Sequence, residues 1–199
     1  MVARFELRSL PQGLVPFLLK RRVIPSRIRS LLRENLSLLP DQVRIEGSVD
    51  SLAEGLLNSL PSALDPSLLD WLVIDIETCA RRLCDMAGSD CATVRLERVI
   101  DRSCPRFHVD SVTMRLLCTY CGPGTEWADA NAAYSVNFGE PFDEALIHQI
   151  PTEAIVIYGG ASASAGLHPL WHRSPAVPDG ETRLLLCIDP VYGSEDAPT

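Results

Sequence analysis

Between Asp65 and Gly88 the apolar residues Leu69, Leu72, Val73, Ile76, Ala80 and Leu83 recur every three or four positions. That spacing gives one apolar stripe and predicts a helix packed on a sheet. Asp65 suits the cap, and Pro66 the first helical position, where its missing N–H costs nothing. Gly88 marks the end. Upstream, residues 1–62 are punctuated by Leu and Pro, with short helices expected over 26–32 and 51–57. From Cys91 the period falls to two. Residues 92–100 alternate apolar and charged positions as a half-buried strand does, and 112–120, 154–158, 170–173 and 183–188 read as further strands. Gly122-Pro123-Gly124, Gly159-Gly160 and Pro178-Asp179-Gly180 mark turns. The small-residue run 161–166 reads as a loop, and 142–150, with His148, as a surface helix. Helices first and strands second favour an α+β class with a sandwich or jelly-roll core over a doubly wound sheet. The domain organisation expected is an arm over 1–62, one domain over 63–190 and a tail over 191–199.

Composition narrows the class. The 199 residues are 46% hydrophobic and 22% charged, which excludes wholesale disorder. Charge is uneven: residues 1–35 hold eight basic and two acidic residues, a balance of +6, against −14 for the remaining 164. Lys20 is the sole lysine. An acidic body argues against nucleic acid, which needs a positive surface. The Arg-rich start reads as a solvated arm; it has the composition of a transit segment, yet its charges define no amphipathic face. No apolar run is long enough to cross a bilayer, and the stretch 14–19 is interrupted by Pro16. The expected setting is the cytoplasm, with no membrane partner. Seven cysteines without a secretion signal read as reduced thiols. Cys118 and Cys121 form a CxxC, but there is no second one to complete a zinc site.

There is no phosphate-binding GxxxxGK[ST], no GxGxxG, no GxSxG and no HExxH. Chemistry therefore centres on the histidines His108, His148, His168 and His172. His108-Val109-Asp110 is an HxD, which alone is a weak signal. About sixty residues on comes His172, and eleven residues after it Arg183. HxD, a distal His and then an Arg is the layout of a facial triad: two imidazoles and a carboxylate on one face of an octahedral Fe(II), with three positions open. An Arg on the neighbouring strand suits bidentate capture of a carboxylate, here the distal one of 2-oxoglutarate.

At these residues the chain resembles the Fe(II)/2-oxoglutarate-dependent oxygenases of the double-stranded β-helix fold. It is more closely similar to a bacterial family known as domain of unknown function 1826. The blocks that carry this second likeness are Cys104-Pro105-Arg106-Phe107-His108-Val109-Asp110, Tyr120 with Gly122-Pro123-Gly124-Thr125-Glu126-Trp127, His172-Arg173-Ser174-Pro175, and Arg183-Leu184-Leu185-Leu186. The resemblance spans roughly residues 66–190. It implies a jelly-roll metalloprotein in which His108, Asp110 and His172 bind the metal and Arg183 anchors 2-oxoglutarate, acting as a hydroxylase. Bacterial members are often associated with zinc homeostasis.

The chain departs from the oxygenase pattern in places. Many of these enzymes follow the Arg by two residues with Ser or Thr; position 185 is Leu, so Tyr120 or Thr119 is expected to supply that hydroxyl. His168 lies four residues before His172 and would share its face on a strand, which makes it the rival distal ligand. The strand-rich segment is short for the fold, so one or two edge strands are expected to be missing or drawn from upstream. Arg115, mid-strand, is either paired with Glu126 or Asp110 or faces the site as a second carboxylate handle. Arg183 could instead serve a structural pair with Asp110 or Glu181, the two histidines could be core residues, and Trp127 reads as a core aromatic. The alternative function is a non-catalytic zinc-binding protein using the same His/Asp set, with Cys104 as a fourth, closing ligand. A third reading is an interaction module without metal. An amino acid, a peptide, a protein side chain and a small metabolite all stand as substrate, and the oligomeric state is open.

Overall fold

The computed structural model describes residues 17–163 and 167–192. The start of the basic arm, the second half of the small-residue run 161–166 and most of the tail lie outside them.

Apolar strands, buried on both faces at the centre, build the main sheet. Its six antiparallel strands are β1 (Phe17–Lys20), β2 (Gln42–Ser48), β3 (Cys91–Val99), β4 (Met114–Cys121), β7 (Ile155–Gly159) and β9 (Arg183–Val191), in spatial order β1-β7-β4-β9-β3-β2. A smaller antiparallel sheet has the order β6-β5-β8, from β5 (Glu126–Ala128), β6 (His148–Gln149) and β8 (Trp171–Arg173). Residues 17–62, read from the sequence as part of an arm, supply both edge strands of the large sheet, β1 and β2.

Side-chain parity assigns each face of the large sheet a task, because successive residues on a strand point to opposite sides. Leu116, Cys118 and Tyr120 of β4, Leu184, Leu186 and Ile188 of β9, and Ala92, Val94 and Leu96 of β3 enter one core with the helices. Those helices are α1 (Ser26–Asn35), α2 (Leu52–Ser59) and α3 (Pro66–Ala87). The α3 ends match the sequence reading: Asp65 accepts from the N–H groups of Ser67 and Leu68, and Gly88 closes the helix at φ +66°. On the opposite face Leu117, Val156, Tyr158 and Cys187 meet Ile150 and Leu170, with Trp127 of the small sheet packed against them. The outer side of the small sheet is covered by α4 (Ala130–Phe138) through Ala128, Ala132, Ala133 and Phe107. The layers are helices, large sheet, small sheet and α4. The 142–150 segment is not the expected helix; it holds a 3₁₀ turn over Glu144–Leu146 and the short strand β6. Asp143 caps that turn, and pairing of β6 with β5 overrides helix propensity. Among the described residues no helix is long and apolar enough to cross a membrane. None of the seven cysteines is disulfide-bonded.

Candidate metal centre

The segment joining β3 to β4 is irregular, and its backbone is held in place at several points. His108 and His172 exchange backbone hydrogen bonds of 2.9 and 3.0 Å, so His108 lies alongside β8 as a one-residue extension of the small sheet. Asn137 of α4 donates to the Phe107 carbonyl and accepts from its N–H, at 2.8 and 2.9 Å. The Asp110 carbonyl accepts from Ala161 at 2.7 Å. A Cβ at Gly160 would sit 2.4 Å from that carbonyl, so only glycine lets the two loops close.

This backbone brings three donors together. Ligand atoms of His108, Asp110 and His172 all lie within 4.8 Å of one another. His172 Nε2 is 3.3 Å from Asp110 Oδ2, and His108 Nε2 is 3.7 Å from Oδ1. Each imidazole is oriented by the same local device. His108 Nδ1 lies 3.0 Å from the Arg106 carbonyl and His172 Nδ1 lies 2.9 Å from the Leu170 carbonyl. A carbonyl can only accept, so both Nδ1 atoms carry the proton and both Nε2 lone pairs face the common point. Metal-binding histidines are oriented in this way. Burial holds the His172 imidazole below its ordinary pKa, although Asp110 acts in the opposite sense.

Asp110 is itself braced. Tyr158 donates to Oδ2 at 2.7 Å, and Arg115 Nη1 lies 2.8 Å from the same oxygen. Burial alone would raise the Asp110 carboxyl. His172, Arg115 and the Tyr158 hydroxyl outweigh it and hold the group below its ordinary value, hence ionised. Arg115 is in turn gripped by Asp189 through two contacts of 2.6 Å.

Arg183, the first residue of β9, is 1% exposed. One Nη donates to Thr125 at 2.6 Å and to Thr119 at 3.3 Å. Its Nε is buried without any partner, and among the described residues no carboxylate lies at ion-pair distance from it. Burial pushes this guanidinium down to about 10, with only Glu97 acting against it. Thr125 is carried by a turn that requires glycine: a Cβ at Gly124 would lie 1.7 Å from the Ile150 carbonyl oxygen. The three donors, Arg115, Thr125 and Arg183 line one cavity of about 460 Å³. A cation held by an open three-donor set, beside a buried guanidinium lacking a counter-charge, can take up a chelating dicarboxylate.

The sequence-predicted residues fall into two groups. His108, Asp110, His172 and Arg183 share the cavity. Tyr120 does not: strand parity turns it to the helix face, where its hydroxyl donates to Asp75 at 2.7 Å and Arg22 pairs with the same carboxylate. Thr119, the other hydroxyl considered, does reach Arg183. Arg115 faces the cavity and directs three of its five N–H groups at Asp110 and Asp189, so it braces the carboxylate. His168 is exposed and Cys104 is absent from the converging set, so His172 is the imidazole that converges with His108 and Asp110, and the described residues bring no fourth ligand to them. Arg183 pairs with neither Asp110 nor Glu181. Thr125, Tyr158 and Asp189 were not singled out from the sequence. The period of two places Tyr158 and Asp189 on the inward face, and Thr125 stands inside the GPGTEW block.

The family model described as protein of unknown function (DUF1826) matches residues 7–189. No curated protein matches the chain by sequence. Among solved structures the chain is similar to a dioxygenase for auxin oxidation from rice, with 13% identity, TM-score 0.54 and coverage of 87% of this chain and 72% of that one. A candidate oxygenase from Shewanella oneidensis matches with 11% identity, TM-score 0.50 and coverage of 88% and 81%. At such identities the likeness concerns the fold.

Proposed function

The chain belongs to the family described as protein of unknown function (DUF1826), and from that premise we propose that it is an Fe(II)/2-oxoglutarate-dependent oxygenase of the hydroxylase type, its two sheets forming a double-stranded β-helix core. One observation carries the reading. An open His/Asp/His set shares a cavity with a buried guanidinium that has no carboxylate partner. Three donors, one of them anionic, suit ferrous iron and leave three octahedral positions free. The likeness to oxygenase folds agrees with this.

Ferrous iron with 2-oxoglutarate and O₂ supplies the oxidising power needed at an unactivated C–H bond. The chain's own residues do the rest. His108 and His172 would hold the ion through Nε2, and Asp110 would offset one of its charges. Tyr158 and Arg115 keep Asp110 ionised and aimed. Arg183, with Thr125 and Thr119, would hold the distal carboxylate of 2-oxoglutarate, at last giving its orphaned Nε–H an acceptor. Leu117 and Leu185 line the same cavity and give it an apolar wall.

The test is anaerobic. Protein reconstituted with Fe(II) and 2-oxoglutarate is expected to show the weak visible charge-transfer band of the chelate, lost in His108→Ala. Absence of the band in the unsubstituted protein, with tight stoichiometric zinc in place of iron, sinks the proposal.

A further inference from the structure

The cavity holds cationic side chains that the metal and co-substrate do not use. On the inward face of the large sheet Arg44 of β2 and Arg95 of β3 sit directly opposite each other in register. Both line the cavity that contains the donor set. Like charges directly opposed on neighbouring strands repel, so a sheet gains nothing from this pair unless something negative lies between them.

The counter-charges within the protein are already distributed. Arg115 is held by Asp110 and Asp189, and Arg173 by Glu126 at 2.6 Å. Arg95 has Glu97 at 3.1 Å, but Glu97 also accepts from Gln42 at 2.9 Å, and the other end of the Arg95 guanidinium points at the Cys187 thiol, 3.0 Å away. Among the described residues no carboxylate lies within ion-pair distance of Arg44. Among the described residues two cations that line the cavity have no carboxylate at ion-pair distance: Arg183, assigned above to the co-substrate, and Arg44, which faces the Glu97-paired Arg95 across the strands. The register separates them. Arg95 pairs with Cys187, four residues along β9 from Arg183, which is about 13 Å of strand. Arg95 is turned to the Cys187 end of β9 and Arg183 to Thr125 and Thr119, so the two address different parts of the cavity.

We propose that Arg44 and Arg95 form the anchor for an oxyanion on the prime substrate, which makes that substrate a small anionic metabolite bearing a carboxylate or a phosphate. The role as a substrate anchor rests on the oxygenase reading; the anion site itself does not. A cavity of about 460 Å³ shared with a co-substrate suits a metabolite. Guanidinium forks match either oxyanion bidentately. The positive cavity also sits in a chain of net charge −8, so the field that draws an anion is local to the site.

Titration of the metal-free protein with inorganic phosphate, and separately with propionate, reads the site by calorimetry. Saturable binding of at least one probe is expected, weakened about tenfold or more in Arg44→Gln, as loss of a charge-assisted contact implies. Arg44 is exposed, so its replacement leaves the fold intact; Arg44→Lys should recover part of the affinity. Preference for phosphate identifies phosphorylated substrates, and preference for propionate identifies carboxylates. Absence of binding, or binding that responds to Arg183→Met but not to Arg44→Gln, overturns the proposal. 2-Oxoglutarate binding to the Fe(II)-loaded protein is measured separately, so failure of the oxygenase reading is told apart from failure of the anion site.

Discussion

Replacing Arg183 with Met should stabilise the metal-free protein while abolishing its affinity for 2-oxoglutarate. The guanidinium is 1% exposed, has one unpartnered nitrogen and no counter-charge. A depression from 12.5 to about 10 corresponds to about 3 kcal/mol at 1.36 kcal/mol per unit. Contacts to Thr125 and Thr119, at ~1 kcal/mol each, are lost with the side chain and reduce the gain. Met fills most of the volume without charge, leaving a net stabilisation of about 1–2 kcal/mol. Urea melts without iron or 2-oxoglutarate measure it directly, and thermal melts should rise by several degrees, at ~2–4 °C per kcal/mol for a domain of this size. In the loaded protein the order reverses, because only the parent gains free energy from binding the dicarboxylate. If Arg183→Met lowers metal-free stability by more than ~1 kcal/mol, the guanidinium is a satisfied structural group and the reasoning fails.

Three other outcomes follow from the same geometry. Tyr158→Phe removes the hydroxyl that aims Asp110 and should weaken Fe(II) binding by about 10- to 100-fold, read by competition with a chelating dye. Tyr120→Phe should leave 2-oxoglutarate affinity unchanged while costing about 1–3 kcal/mol in urea, because Asp75 loses a buried donor; a large loss of 2-oxoglutarate affinity would return Tyr120 to the site. Gly124→Ala forces a Cβ against the Ile150 carbonyl and should lower stability by more than ~3 kcal/mol, with 2-oxoglutarate binding weakened through the displaced Thr125.

Helix α3 was legible because its stripe, cap and terminating glycine agree, strand β3 because apolar and charged positions alternate, and strands β4, β7 and β9 because short apolar runs are bounded by turn residues. Strand β2 also alternates, yet its edge position leaves most of its residues exposed, so no apolar contrast announces it. Helix α4 is masked by small residues: Ala132 and Ala133 bury well against Ala128 but give little amphipathic contrast. The site was legible where the order of HxD, His and Arg is held in the chain. Tyr120 went wrong for a reason visible in advance. It lies five residues from Arg115 on one strand, so the two cannot share a face, and both were assigned to the cavity. The bracing partners were harder to see. Asp189 lies seventy-four residues from Arg115, and only the sheet register brings them together.

The division of labour between the faces of the large sheet also bears on how this chain can change. On β4 and β9 the residues that touch the cavity alternate with residues that touch the helices. Substitutions at Leu116, Leu186 or Ile188 change robustness without altering what the cavity accepts. Those at Leu117, Leu185 or Arg95 reshape acceptance while the helix-packed core stays whole. A laboratory library confined to Leu185 and Arg95 therefore explores new substrates while the helix-packed core and the residues around the His/Asp/His set stay unchanged.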